Sequence, residues 1–165
     1  MTNVRKTLLA STLALAGMSA GAFAQDRDIV IAVSIPAATH GWTGGVVYHA
    51  MQAERQIEEA FPNVDIVVST AQSASAQASA LEDLSATRDL AALVILPFTS
   101  EELTGPVENV RDTGTFITVV DRGLSDDSIQ DLYVAGDNIA VGANTAQWLS
   151  EQLGGEGQIV VLRGI

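Results

Sequence analysis

No cysteine occurs anywhere in the 165 residues. Disulfide staples, thiolate metal sites and thiol nucleophiles are excluded, so the fold must stand on packing alone. Lysine is almost as scarce, with Lys6 the only one. Histidine is limited to His40 and His49. A tetrahedral zinc set would have to recruit carboxylates, and no metal site is expected. Positive charge is short overall: Lys plus Arg number 8 against 20 Asp plus Glu, a formal net charge of −12. Such a surface repels nucleic acid and anionic headgroups, so nucleic acid is not an expected partner. Long apolar runs are missing too. The longest lies near the N-terminus, falls short of the ~20 residues a bilayer span needs, and is interrupted by Gly17 and Gly21.

That N-terminal stretch has a different use. Arg5 and Lys6 make a short positive region, Thr7 to Ala20 is apolar and small, and Ala22-Phe23-Ala24 gives a small-x-small cleavage site. The pattern is that of a secretory signal peptide over residues 1–24, and export to the periplasm is expected. No cysteine follows the cleavage site to carry a lipid. Beyond the leader six Arg face 20 acidic residues, a formal charge of −14. The remaining length suits one modest core.

From Asp28 onward the hydropathy pattern alternates. "DIVIAVSIP" (Asp28 to Pro36), "VDIVVST" (Val64 to Thr70), "AALVILP" (Ala91 to Pro97), "FITVVD" (Phe116 to Asp121) and Leu132 to Ala135 are short runs rich in Val, Ile and Leu. They read as strands buried on both faces, and "QIVVLRG" as a sixth. Between them lie helical patterns. Gly44 to Phe61 places Val46, Ala50, Ala53, Ile57 and Ala60 on one face. Gln72 to Asp89 turns Ala78, Leu81 and Leu84 inward. A third helix is expected to open on a Thr99–Glu102 capping box and to be kinked or shortened at Pro106. A fourth runs from Asn138 to Leu153, entered through Asp137 or Asn138 and ended by Gly154-Gly155. The fold class is therefore α/β, a doubly wound parallel sheet with helices on both faces. In such sheets ligands sit outside the carboxyl ends of the strands, where strand order reverses. The loops to watch are Pro36 to Gly45, Pro97 to Ser100, Asp121 to Gly123 and Gly136 to Asn138.

In the first loop, "AATHGWTGG", Trp42 is either core folded back on the sheet edge or an exposed ring in a cleft, where a flat indole suits the C–H face of a sugar. The glycines match neither the phosphate-loop spacing nor the dinucleotide fingerprint, and read instead as a backbone open to a ligand. "VVDRG" places Asp121 directly off a buried strand. Its carboxylate can accept from two hydroxyls at once, and Arg122 adds a planar donor fork; a local ion pair or turn cap is the plainer reading. Asp137 and Asn138 in "GDN" divide between helix cap and ligand contact. No Gly-x-Ser-x-Gly elbow and no cysteine nucleophile is present, so no catalytic residue is assigned and no cofactor is called for. The alternative is a secreted sugar-active enzyme pairing Asp121 with Asp137 as acid and base.

Taken together, "IVIAVSIP…GW", "LVILP", "ITVVDRG", "YVAGDNIAVGANTAQWL" and "GQIVVLRGI" resemble the ribose-type family of periplasmic sugar-binding proteins, the substrate-capturing parts of bacterial ABC importers, along essentially all of Asp28 to Ile165. LacI-type repressors share this core, but the leader and the missing helix-turn-helix separate them from this chain. The resemblance implies two lobes that close over a monosaccharide or polyol. Trp42 would stack on it, Asp121 and Arg122 would bond its hydroxyls, and Asp137 and Asn138 would lie at the crossover between lobes. Ser34 and His40 complete the ligand-binding set. The implied partner is the membrane permease of the transporter, and the complete protein is expected to be a monomer. Residues 25–136 would form the first lobe, and 137–165 the crossover and the start of a second, cut short with its first helix and strand. On that reading "QIVVLRG" should be an exposed, apolar, unpaired edge and an aggregation hazard.

Overall fold

Short runs of β-branched and aliphatic residues build the sheet in the computed structural model, which describes residues 29–162. The expected leader, residues 1–24, lies outside them. The strands are β1 (Ile29–Pro36), β2 (Val64–Ala71), β3 (Leu90–Ile95), β4 (Phe116–Val120) and β5 (Leu132–Val134). All neighbours are parallel, in the order β2-β1-β3-β4-β5. The helices are α1 (Gly41–Ala60), α2 (Ala74–Thr87), α3 (Ser100–Arg111) and α4 (Asn138–Gln152).

The two-residue period of a strand sends alternate side chains to opposite faces. On one face Val30, Ala32, Leu93, Ile95, Ile117 and Val119 pack with Leu81 of α2 and Leu103, Val107 and Val110 of α3 into the main buried cluster. On the other, Ile31 and Val33 meet the stripe of α1 that carries Val46, Ala50, Ala53 and Ile57. Helix α1 packs against β1 and β2. An apolar groove of about 660 Å³ therefore runs between it and the sheet, reaching Val94 and Val120. The first face is closed; the second is partly open.

Four local expectations are corrected. The Gly-rich stretch after β1 is not a loop through Gly45 but the first turn of α1. Thr43, buried there, accepts the Thr39 N–H at 3.2 Å and donates to the His40 carbonyl at 3.2 Å. That internal cap lets the helix begin despite three glycines. In α3 the Thr99–Glu102 box does not form: Thr99 is the N-cap, but its hydroxyl makes no capping bond, and its Oγ1 is buried without a partner. Helix α3 is not shortened at Pro106, which lies inside it. The one hydrogen bond it removes is outweighed by the burial of Leu103, Val107 and Val110 on the same helix. Finally, Gln158–Leu162 joins no sheet. Val160 and Leu162 are 88% and 93% exposed, because β-propensity without a ladder partner holds no strand. The apolar exposure expected of this segment is present; its strand is not.

The fourth helix follows its sequence signals. Asp137 Oδ1 accepts the Ala140 N–H at 2.8 Å, and Gly154 and Gly155 end the helix at φ 68° and 89°, a backbone region that favours glycine. No residue of α4 is buried.

Candidate functional site

The strand order reverses between β1 and β3. From β1 the chain winds outward to β2; from β3 it winds the other way, to β4 and β5. The loops leaving β1 and β3 therefore part at their carboxyl ends and leave a crevice. A cleft of about 630 Å³ occupies it, walled by His40, Trp42, Phe98, Ser100, Asp121 and Arg122 among others. That size falls within the roughly 300–1,000 Å³ typical of small-molecule sites.

Trp42 and Asp121, 79 residues apart in sequence, meet at its rim, where the indole Nε1 donates to Asp121 Oδ2 at 3.2 Å. The ring is 58% exposed, so it is not core. Its place as the second residue of α1 fixes it beside the end of β1. Asp121 follows β4 immediately and, among the described residues, is the one non-glycine at positive φ, 62°. Asp tolerates this left-handed conformation better than most residues, and such strain gathers at functional sites. Three bonds impose it here: the Asp121 N–H donates to the Val134 carbonyl at 2.8 Å, the Tyr133 hydroxyl donates to the Asp121 carbonyl at 2.6 Å, and the indole holds the carboxylate.

Arg122 is exposed and lines the same cleft, but part of its fork is engaged. Nη1 donates to the Pro97 carbonyl at 3.1 Å and also to that of Phe98. It thus braces the loop after β3 as well as facing the site, with donors to spare. His40 is the exposed N-cap of α1 and forms part of the wall. Among the described residues no group of three or more His, Cys, Asp and Glu could hold a metal ion.

Three candidates lie elsewhere. Ser34 is buried at 1% exposure beneath the cleft, where its hydroxyl accepts from Gln77 Nε2 at 3.1 Å. Its side chain points to the closed face of the sheet. Asp137 and Asn138 follow β5, which β4 separates from the crevice, and neither lines the cleft. Asp137 spends its carboxylate on the cap of α4. Conversely, Thr39, Phe98 and Ser100, which are not in the expected ligand set, line the cleft together with Thr99, expected only as a helix cap; the Pro97–Ser100 loop itself follows from strand order. Tyr133 and Gln77 carry no motif of their own. For Gln77 a signal existed, since it shares the inward spacing of Ala74, Ala78 and Leu81 on α2.

Chemically the cleft offers an apolar plate, a carboxylate that accepts, a guanidinium that donates and several hydroxyls; among the described residues none of those hydroxyls is hydrogen-bonded to a His, Asp or Glu side chain. A family model described as a periplasmic binding protein domain matches residues 31–165. No curated protein matches by sequence. The fold is similar to that of an ABC transporter solute-binding protein from Bacillus halodurans solved with bound myo-inositol, at 20% identity and a TM-score of 0.69 over 81% of this chain and 45% of that one. An ABC sugar transporter subunit from Rhodobacter sphaeroides gives 21% identity and 0.68 over 82% and 45%. The Caulobacter myo-inositol binding protein, bound to myo-inositol, gives 25% and 0.60 over 76% and 40%. The chain thus spans less than half the length of these structures.

Proposed function

The chain belongs to the periplasmic binding protein domain family, and from that premise we propose that it captures a neutral monosaccharide or polyol as the recognition component of a bacterial ABC importer. The observation that carries this reading is the 3.2 Å contact between Trp42 Nε1 and Asp121 Oδ2. It brings an exposed aromatic plate and a hydroxyl-accepting carboxylate to one rim, with Arg122 on the same cleft. A carboxylate there disfavours anionic ligands, and the guanidinium beside it disfavours cations; polyhydroxylated neutral molecules suit both. The myo-inositol bound by the Bacillus and Caulobacter proteins supports that class. The leader sends the protein to the periplasm, where the ligand-bound form docks on a membrane permease and acts as a monomer. Binding without turnover is favoured over catalysis because Asp137, the second carboxylate an enzyme would need, is held at the cap of α4.

The test is calorimetric and fluorimetric titration of the full chain with myo-inositol, L-arabinose, D-glucose and D-tagatose. Saturable uptake of at least one is expected, with mass spectrometry returning it unchanged. Trp42→Ala should remove most of the ligand-dependent fluorescence and weaken binding about fivefold, the ~1 kcal/mol of an aromatic contact. Trp148→Phe, on α4, should leave both intact. Failure to bind any of the four, or a fluorescence response that survives loss of Trp42, would sink the reading.

A further inference from the structure

Beneath the cleft one fully buried glutamine ties together the elements that form it. Gln77, on the inward face of α2, has no exposed surface. Its Nε2 donates to the Ser34 hydroxyl at 3.1 Å and to the Leu96 carbonyl at 3.0 Å, and its Oε1 accepts the Phe98 N–H at 2.7 Å. The backbone partners dictate which way the amide faces, because a carbonyl can only accept and an N–H can only donate. A single side chain thus serves the end of β1, the residue just past β3 and the loop beyond it. Arg122 reaches the Pro97 and Phe98 carbonyls. Of three consecutive residues, the amide thus holds Leu96 and Phe98, and the guanidinium holds Pro97 and Phe98. Thr99 and Ser100 follow and continue the cleft wall.

Packing does not require an amide at this place. Ala74, Ala78 and Leu81 occupy the same face of α2 with apolar side chains. What the amide adds is satisfaction of the Leu96 carbonyl and the Phe98 N–H just past β3, beyond the bond from the Leu96 N–H to the Ser34 carbonyl of β1 at 3.0 Å. We propose that Gln77 is a positioning residue for the ligand site: it presets the Leu96–Phe98 backbone so that Phe98, Thr99 and Ser100 stand as a fixed wall before ligand arrives. Its bearing on affinity rests on the polyol-binding reading above. A wall already ordered in the empty protein loses less freedom on binding, and affinity rises accordingly.

The experiment uses the full chain and Gln77→Met, which keeps the volume and removes the amide. Amide exchange is followed residue by residue by NMR, and myo-inositol is titrated by calorimetry. The Phe98 N–H should exchange about tenfold faster, as for loss of one ordinary hydrogen bond. The amides of Leu93 and Val107, in the same core, should change less than twofold. The myo-inositol Kd should rise about tenfold. Should Gln77→Met fail to fold, Gln77→Asn, which keeps the amide but withdraws it by one methylene, should give the same pattern in milder form. The proposal is overturned if Phe98 exchange is unchanged, if it accelerates in step with Leu93 and Val107, or if it accelerates while the Kd stays put. A wild-type chain that takes up no polyol overturns the reading above and the affinity half of this one; Phe98 exchange then still decides whether Gln77 sets the loop.

Discussion

Asp121→Ala should weaken binding of the polyol that the wild type takes up by about 100-fold, the loss of ~2.7 kcal/mol and within the range for a hydrogen bond to a charged group. The side chain stands at the rim of the cleft with one oxygen held by the Trp42 indole and further lone pairs free for ligand hydroxyls. Ala also suits the backbone badly. At φ 62° a Cβ without a polar arm gains nothing locally, so a further loss of roughly 1 kcal/mol of stability is expected in denaturant titration. Asp121→Asn separates the two effects. Asn tolerates the left-handed region and still offers an oxygen to the indole, so stability should hold while binding falls about tenfold, the difference between a charged and a neutral acceptor. Equal affinity for wild type and Ala would place the ligand away from this carboxylate and end the assignment of the site.

Leu93→Ala should cost about 3 kcal/mol of unfolding free energy, read as a shift of the urea midpoint at unchanged slope. Leu93 lies in β3, the middle strand of five, with no exposed surface, and belongs to the cluster shared with α2 and α3. Helices cover that face, so the void left by three carbons cannot be filled by movement of a free surface. Trp148→Ala, on a helix with no buried residue, should change stability by no more than about 0.5 kcal/mol. A loss below 1 kcal/mol for Leu93→Ala would mean that the cluster is not the cooperative core.

Much of this architecture could be read from the sequence because strands buried on both faces leave uninterrupted aliphatic runs. The run Asp28 to Pro36 marks β1 through to its carboxyl end at Pro36, with Asp28 outside the described residues. The start of α1 was harder, since Gly44 and Gly45 look like chain breakers until the Thr43 hydroxyl is seen to hold the turn together. At the site, Asp121 stood out as a charge directly after an apolar run. Its left-handed backbone did not, because that depends on Tyr133 and Val134, more than ten residues further on. Ser34 misled for a related reason. A hydroxyl near the end of a strand can face either side, and only the position of Gln77 shows that it faces inward. The inward spacing of Gln77 on α2 can be read, but its partners cannot, since one sequence names none 19 or 43 residues away.

The groove between α1 and the sheet has a practical consequence. With Ile31, Val33, Val94 and Val120 lining a trough that water reaches, the native protein already presents the kind of surface on which environment-sensitive dyes such as ANS become emissive. A dye-monitored melt should therefore begin bright and rise little on heating, and circular dichroism would be the sounder witness of unfolding. A dark baseline with such a dye would show that the trough is closed in solution.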